Sequence, residues 1–434
     1  MTLIPAEKKY SGKIGLLILV AALGYFVDIY DLLLFGVVRK ESLNDILTSQ
    51  FGPMSGDALA NLNTYFGKML LNWQMGGMLI GGIVWGMIGD KKGRLSVLFG
   101  SIILYSSANV LNGMVNTTTQ YSLLRFISGF GLAGELGAGI TLVSEAMSKE
   151  KRGYGTMIVA TIGVFGAVVA GYMGGAIHSW KLAEKVGGAW RLSFYIGGAM
   201  GFALLLLRIG VYESGLFKGI KEEKVSRGNI LMLFNNKERL KKYLSIIFVT
   251  VPVWYFIGTL VFFAPELSVE LGLPKGAVTA GNAIMFAYMG ITFGDLLSGL
   301  TSQLIKSRKK TLAIFLVWST IAIALYFILG GISVFMFYAV VVFGGVATGY
   351  WAVFMSTAAE SFGTNIRATA TTTAPNFVRG STILISGLLS LVAIAFPDKI
   401  TSAAITGGII LAIGFVSLYH LRDTFGKDLD YTEQ

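Results

Sequence analysis

Twelve apolar runs, each long enough to cross a lipid bilayer as a helix, dominate the 434-residue chain. They fall at about 14–37, 67–88, 95–115, 119–147, 153–177, 192–211, 243–264, 278–304, 311–330, 332–358, 369–395 and 401–420. Roughly 20 helical residues span a hydrocarbon core. Within that core the backbone must satisfy its own hydrogen bonds, which leaves helices or closed barrels. A barrel would show alternating segments of about ten residues, and these runs do not alternate. The expected fold is an all-α membrane protein with twelve transmembrane helices. Charged residues make up only 14%, where a soluble domain carries about a quarter. A soluble protein is excluded.

The runs are duplicated. Glu145-Ala-Met-Ser-Lys-Glu-Lys-Arg152-Gly153 is echoed 215 positions later by Glu360-Ser-Phe-Gly-Thr-Asn-Ile-Arg367-Ala368. The same shift carries Gly129 onto Gly344 and Gly134 onto Gly349. Internal repeats of this kind build many secondary transporters. The longest polar interruption, Gly215 to Lys242, divides the runs six and six. The division expected is therefore two pseudo-symmetric six-helix bundles, 1–212 and 243–434, joined by a cytoplasmic linker at 213–242, with a short cytoplasmic tail at the end. The segment Glu41 to Asn63 reads as an outer loop over the extracellular mouth.

The formal charge of +11 follows topology. With the N-terminus inside, roughly two-thirds of the Lys and Arg fall in cytoplasmic segments, as orientation requires. Both termini are expected in the cytoplasm, and no nucleic-acid partner is implied. There are no cysteines, and the two histidines, His178 and His420, sit near span ends. No metal set and no cofactor is expected. The cytoplasmic segments hold no Gly-x-x-x-x-Gly-Lys loop, which argues against ATP drive, and no nucleophile–base pair points to an enzyme. The first span is too long for a signal sequence and should remain in the mature chain.

Between the second and third runs lies Gly86-Met-Ile-Gly89-Asp90-Lys91-Lys92-Gly93-Arg94. This resembles the Gly-x-x-x-Asp-x-x-Gly-Arg loop of the major facilitator superfamily. Gly allows helices to approach, and Asp can pair with Arg or with a helix N-terminus. The counterpart in the second half is degraded, with Gly299 for Gly86, Gln303 for Asp90 and Ser307-Arg308 for Gly93-Arg94. Arg125-Phe-Ile-Ser-Gly129-Phe-Gly131 resembles the superfamily's Arg-x-x-x-Gly-x-Gly pattern. Val211-Tyr-Glu213-Ser214-Gly-Leu-Phe217 is similar to a reduced Pro-Glu-Ser-Pro-Arg element. The first span, Gly24-Tyr-Phe-Val-Asp28-Ile-Tyr30-Asp31, resembles that of metabolite–proton and organic-anion symporters. The resemblance implies the major facilitator fold, a multi-pass protein of a bacterial inner membrane, a small-molecule substrate and a monomer.

A charge in hydrocarbon costs at least a few kcal/mol and should face the interior or a partner. Asp28, Asp31 and Glu135 are the candidate proton carriers. Arg125 lies at a depth that makes an Asp28 or Asp31 pair available. Arg379 suits an anionic group and is the candidate substrate anchor. Asp295 lies at a comparable depth, Pro375-Asn376 should kink its helix, and Tyr30, Trp254, Tyr350 and Trp351 are candidate ligand contacts. Gly86, Asp90, Gly93, Arg94, Glu145, Arg152, Glu360 and Arg367 are the candidate gate, with repeat-related pairs bracing its inner side. The function expected is proton-coupled symport of a small organic anion by alternating access, with Na⁺ as the other possible coupling ion. The rival is an exporter or antiporter of a cationic, amphipathic or zwitterionic compound, and a non-transporting receptor is the distant alternative.

Overall fold

The computed structural model describes residues 6–54, 56–147, 151–213, 230–427 and 431, apart from the side chains of 6–13, 145, 152 and 210–213. The apolar runs form twelve long helices: α1 (Ala6–Phe51), α2 (Gly56–Lys92), α3 (Arg94–Asn112), α4 (Thr118–Ser144), α5 (Arg152–Ala176), α6 (Ala189–Glu213), α7 (Lys237–Val261), α8 (Ala280–Ile305), α9 (Arg308–Leu329), α10 (Val334–Ser361), α11 (Arg367–Ala395) and α12 (Lys399–His420). Eleven qualify as membrane spans on apolar length alone. In α2, Asn72 and Gln74 dilute the hydropathy, and Gln74 turns inward to bond the Leu32 carbonyl.

Two boundaries differ from the sequence reading. The outer loop expected over 41–63 is mostly helix, because nothing breaks α1 before Gly52-Pro53 and good helix formers fill the stretch. Helix α7 starts at Lys237 rather than 243, since Asn236 caps it by accepting from the amides of Glu238 and Arg239. The rest of the expected linker, 214–229, lies outside the described residues.

The duplication reappears in three dimensions. Thr117 caps α4 and Ser333 caps α10 through the same bond to the third amide. Both helices then break near mid-span, α4 between Leu132 and Glu135 and α10 between Thr348 and Trp351. These breaks fall at Gly134 and Gly349, the glycines related by the repeat. Within each half the packing also matches: α2 lies on α4 as α8 lies on α10, and α3 on α4 as α9 on α10.

Two seams join the halves, α2 with α11 and α5 with α8. The repeat exchanges them, because it carries α2 onto α8 and α5 onto α11. The α5–α8 seam is tight along its length, from Gly153 on Gln303 to Gly171 on the Gly281 carbonyl. The α2–α11 seam is tight only towards the face that carries the α2–α3 turn, hereafter the latch face. There Gly86 meets Thr369, Gly82 meets Asn376, and Gly380 meets Leu79. At Gly93 the turn itself takes φ +87°, which only glycine adopts freely.

Glycine is also required where backbones touch. A Cβ on Gly129 would lie 2.1 Å from the Gln74 carbonyl oxygen on α2, and backbone cannot step aside as a flexible side chain can. Gly129→Ala should destabilise the protein by about 1–3 kcal/mol, whereas Gly408→Ala, with open space around it, should be neutral or better. Thermal unfolding of both variants in one detergent checks this; equal midpoints would contradict the α2–α4 packing.

Candidate functional site

At the centre, one ion pair crosses between the halves. Asp28 Oδ2 on α1 lies 3.6 Å from Arg379 Nη2 on α11, and both side chains are fully buried. Arg379 is about 18 Å along α11 from Arg367 at 1.5 Å per residue. Its Nη2 also reaches Tyr25 Oη at 3.5 Å, and its guanidinium lies 5.6 Å from the Trp351 ring centre. Neither Asp28 oxygen nor Arg379 Nε has a hydrogen-bond partner among the described residues. The pair is therefore loose, held by charge with unused bonding capacity. Around it Tyr25, Trp254, Tyr288 and Trp351 wall a hollow of about 20 Å³. That is room for about one water, so the centre is occluded.

The other membrane charges lie within single halves. Glu135 forms a bidentate pair with Arg208 of α6, whose Nη1 also donates to the Leu98 carbonyl. Gly24 of α1 lies directly on this pair, and a Cβ there would overlap Glu135 Oε1. Arg125 is buried between the rings of Phe35 and Phe194, at 5.2 and 5.7 Å. Asp31 is buried against Gly197 of α6, and neither residue has a hydrogen-bond partner among the described residues. Arg125 is thus not paired with Asp28, which takes Arg379 instead.

Several expected ligand contacts have other work. Asp295 Oδ1 accepts from the Ala352 amide at 3.1 Å and so caps the second segment of α10 where that helix restarts. Asn376 Nδ2 donates to the Ala133 carbonyl at 2.8 Å, an acceptor freed by the break in α4. Tyr350 donates to the Val249 carbonyl, and Tyr30 packs among α1, α5 and α6 beside Gly166 and Gly197. Of the proposed contacts, only Arg379, Trp254 and Trp351 line the centre.

At the latch face, Asp90 Oδ2 accepts from the Thr369 amide at 2.8 Å and from its hydroxyl. Thr369 is the third residue of α11, so a carboxylate from one half caps a helix N-terminus in the other, where the helix dipole favours negative charge. Beside that seam, Thr141 of α4 and Thr371 of α11 bond across the halves at 2.7 Å. Arg94 donates to the Gly89 carbonyl, which shapes the turn. Glu360 pairs with Arg308 at 2.9 Å, and Arg367 Nε donates to the Ala359 and Phe362 carbonyls. Glu360 reaches Arg308 because α9 begins directly beside the end of α10. The side chains of Glu145 and Arg152 lie outside those described.

On the opposite face the α2–α11 seam opens into a hollow of about 1070 Å³, lined by Lys68, Asn72, Phe263, Glu266 and Ser386 among others. It reaches Ile383, one helical turn from Arg379, and stops where Gly258 meets Thr382. Gly258 belongs to a π-helical stretch, Phe256–Val261, a feature frequent at functional sites. Two ion pairs join the halves here: Arg39 Nη2 to Glu266 Oε1 at 2.8 Å and Lys40 Nζ to the same oxygen at 3.7 Å. This hollow thus ends one helical turn from the buried charges of the centre.

The Major Facilitator Superfamily model matches residues 21–387. The chain belongs to the major facilitator superfamily. It is 25% identical over 429 residues to a putative metabolite transport protein of Haemophilus influenzae, covering 94% of this chain and 96% of that one. It is 29% identical over 315 residues to the 3-(3-hydroxy-phenyl)propionate transporter of Escherichia coli, covering 71% and 73%. The solved proton:xylose symporter XylE superposes with a TM-score of 0.71 over 96% of this chain and 98% of that one, at 18% identity. At that identity the likeness shows the fold alone. As a major facilitator protein the chain is a multi-pass membrane transporter rather than an enzyme.

Sequence reasoning missed Tyr25, Tyr288 and the role of Arg208. Each had a signal: Tyr25 lies three residues before Asp28 and Tyr288 seven before Asp295, both same-face spacings. An arginine inside an apolar span also demands a buried acid.

Two outcomes separate gate from scaffold in this transporter. Asp90→Asn should weaken the α11 cap by about 1.4 kcal/mol, a tenfold change in the gate equilibrium. A cysteine placed at Thr372, in this naturally cysteine-free chain, should then react about tenfold faster with a polar thiol reagent; an unchanged rate would show that the cap does not hold the gate. Arg208→Met alone should cost about 3–5 kcal/mol by stranding Glu135, while the double change with Glu135→Leu should recover most of it. Thermal unfolding of the three proteins tests this cycle.

Proposed function

We propose that this transporter carries a small organic monoanion, best an aromatic carboxylate, together with one proton. The observation that carries this reading is the loose Asp28–Arg379 pair between the halves, walled by two tryptophans and two tyrosines. A fixed guanidinium suits a carboxylate, and the rings offer faces to an aromatic body. The Escherichia coli relative's named substrate, 3-(3-hydroxy-phenyl)propionate, has both parts.

Coupling follows from charge balance. With the site empty, Asp28 neutralises Arg379. A substrate carboxylate would make two anions share one cation in low dielectric, which is costly. Protonating Asp28 removes the second anion and frees Arg379 for the substrate. Both loaded and empty centres are then neutral, so either can cross during the rocking motion, whereas a centre holding substrate without a proton is held back. Na⁺ fits less well, because Asp28 faces a guanidinium and brings no set of oxygen ligands with it.

Lys and Arg bias supports a cytoplasmic setting for the termini and the latch face. The hollow beside Lys68 and Glu266 then opens outward, and the bundles 1–212 and 243–434 rock about the centre to give import. Gly86, Asp90, Gly93 and Arg94 form the cytoplasmic latch in this scheme, with Glu360 holding its C-terminal side through Arg308. No step requires a second copy of the chain. Asp31 with Arg125 is the rival proton carrier. It lies inside the N-terminal half, three residues from Asp28 on α1, and would act on substrate through movement of that helix.

In proteoliposomes, Arg379→Ala should weaken 3-(3-hydroxy-phenyl)propionate binding about 100-fold, or about 2.7 kcal/mol, and xylose should bind neither protein. Asp28→Asn should keep counterflow within about threefold and lose proton-driven accumulation. If Asp28→Asn accumulates normally and Asp31→Asn does not, the carrier is Asp31. Equal binding by wild type and Arg379→Ala would sink the anion-anchor reading.

A further inference from the structure

The latch face carries a second hollow, of about 700 Å³, that plays no part in the transport scheme. It lies between the start of α7, the start of α9, the end of α12 and the residues after it. Six Lys and Arg side chains line it against two acids. Arg239 and Lys242 are engaged, one donating to the Met232 carbonyl and the other lying 4.5 Å from the Phe362 ring centre. Lys241, Lys309 and Arg422 supply further positive charge, with Lys309 Nζ anchored on the Tyr419 carbonyl at 3.0 Å.

The two acids do not balance this charge. Asp423 accepts from Ser307 Oγ and from the amides of Arg308 and Phe425, so it braces the start of α9, which Ser307 caps. Partial burial pushes its carboxyl up, but those bonds outweigh burial and hold it below the ordinary carboxylate value. Glu238 meets Arg422 only at 3.8 Å, with both more than four-fifths exposed, and such a pair contributes little. Topology alone explains basic residues on this face, but not their convergence on one concavity. The dipoles of α7 and α9 add to the repulsion, since both helices begin there with cations in their first turns, where positive charge is disfavoured.

We propose that this hollow is a binding site for a phosphate-bearing anion, and that its occupant is the phosphodiester headgroup of an anionic lipid. Tyr419 lines the hollow and is 80% exposed, with Val416 exposed one turn earlier on the same helix. The site therefore opens on the outer surface of α12, at the level where aromatic rings mark the membrane interface, and basic pockets at that level take lipid headgroups. Occupancy also reaches the gate. The residues after α12 that form one wall bond the buried Arg308–Glu360 pair, through Thr424 Oγ1 on Glu360 and the Phe425 ring under Arg308. A bound anion ties that wall to α7 and α9 and so steadies the C-terminal half where it forms the latch face.

The test uses the full chain, delipidated in a neutral detergent, and the variant Lys241→Gln/Lys309→Gln/Arg422→Gln. Thermal unfolding is followed with phosphatidylglycerol, with phosphatidylcholine, or with inorganic phosphate, and lipid phosphorus retained per protein is measured in parallel. Phosphatidylglycerol should raise the wild-type Tm by about 3–4 °C and be retained at about one molecule. The triple variant should lose most of both effects, and phosphatidylcholine should give neither. A rise with inorganic phosphate and none with phosphatidylglycerol would keep the anion site and overturn its lipid occupant. Equal responses of wild type and variant, or no response to either phosphate source, would overturn the site.

Discussion

Everything in this molecule turns on how charge is held where water is scarce. A buried ion needs a partner, and removing that partner strands a charge at a cost of several kcal/mol. The partners sort by location. Glu135–Arg208 and Glu360–Arg308 lie within one half and cannot separate without unfolding it. Asp28–Arg379, Arg39–Glu266 and Asp90 on α11 join opposite halves. The first group makes each bundle a rigid body. The second is the set of contacts that rocking must make and break, and a proton or an anion can intervene at each of them.

The duplicated breaks in α4 and α10 show how one plan serves two tasks. A broken helix exposes backbone groups that must be satisfied inside the membrane. In α10 the freed Ala352 amide is bonded by Asp295, from the same half, and the break is closed locally. In α4 the freed Ala133 carbonyl is bonded by Asn376 from the other half. The symmetric defect is thus closed within one half in α10 and bridged between the halves in α4. Asn376 sits one residue after Pro375 and three before Arg379, so this cross-half bond and the charged centre share one turn of α11.

Most of the architecture was legible in the chain. Apolar length gave the helices, and the 215-residue echo marked Gly134 and Gly349 as equivalent, although that both helices break there was not read from the chain. The Asp90 turn and the central placement of Arg379 could also be read. Partners could not. Asp28, Asp31 and Arg125 lie at similar depth, and depth alone does not say which helix faces which. The choice of Arg379 by Asp28 depends on the rotation of α1 against α11, which tertiary packing sets. The same limit applies to Tyr350 and Tyr30, aromatic residues whose inward direction proved to be into a bundle rather than between the two.

The two faces are closed to different degrees, and this asymmetry bears on mechanism. At the latch face α11 is held to the other half by the Asp90 cap from α2, and by the Thr141–Thr371 pair and the Asn376 bond, both made to α4. On the opposite face Arg39 and Lys40 both pair with Glu266 across the halves, beside an open hollow. The structure is thus occluded at its centre with the weaker closure on the hollow side. For alternating access the two closures must differ by no more than binding can supply, since a ligand shifts an equilibrium only by its differential affinity for the two states. Three neutral or capping bonds, each about 1 kcal/mol net, lie within that range. A second buried cross-half ion pair at the latch would not, because parting it would strand two charges at once; the transition is feasible because the latch uses a carboxylate on a helix end, where water can replace each partner as the seam opens.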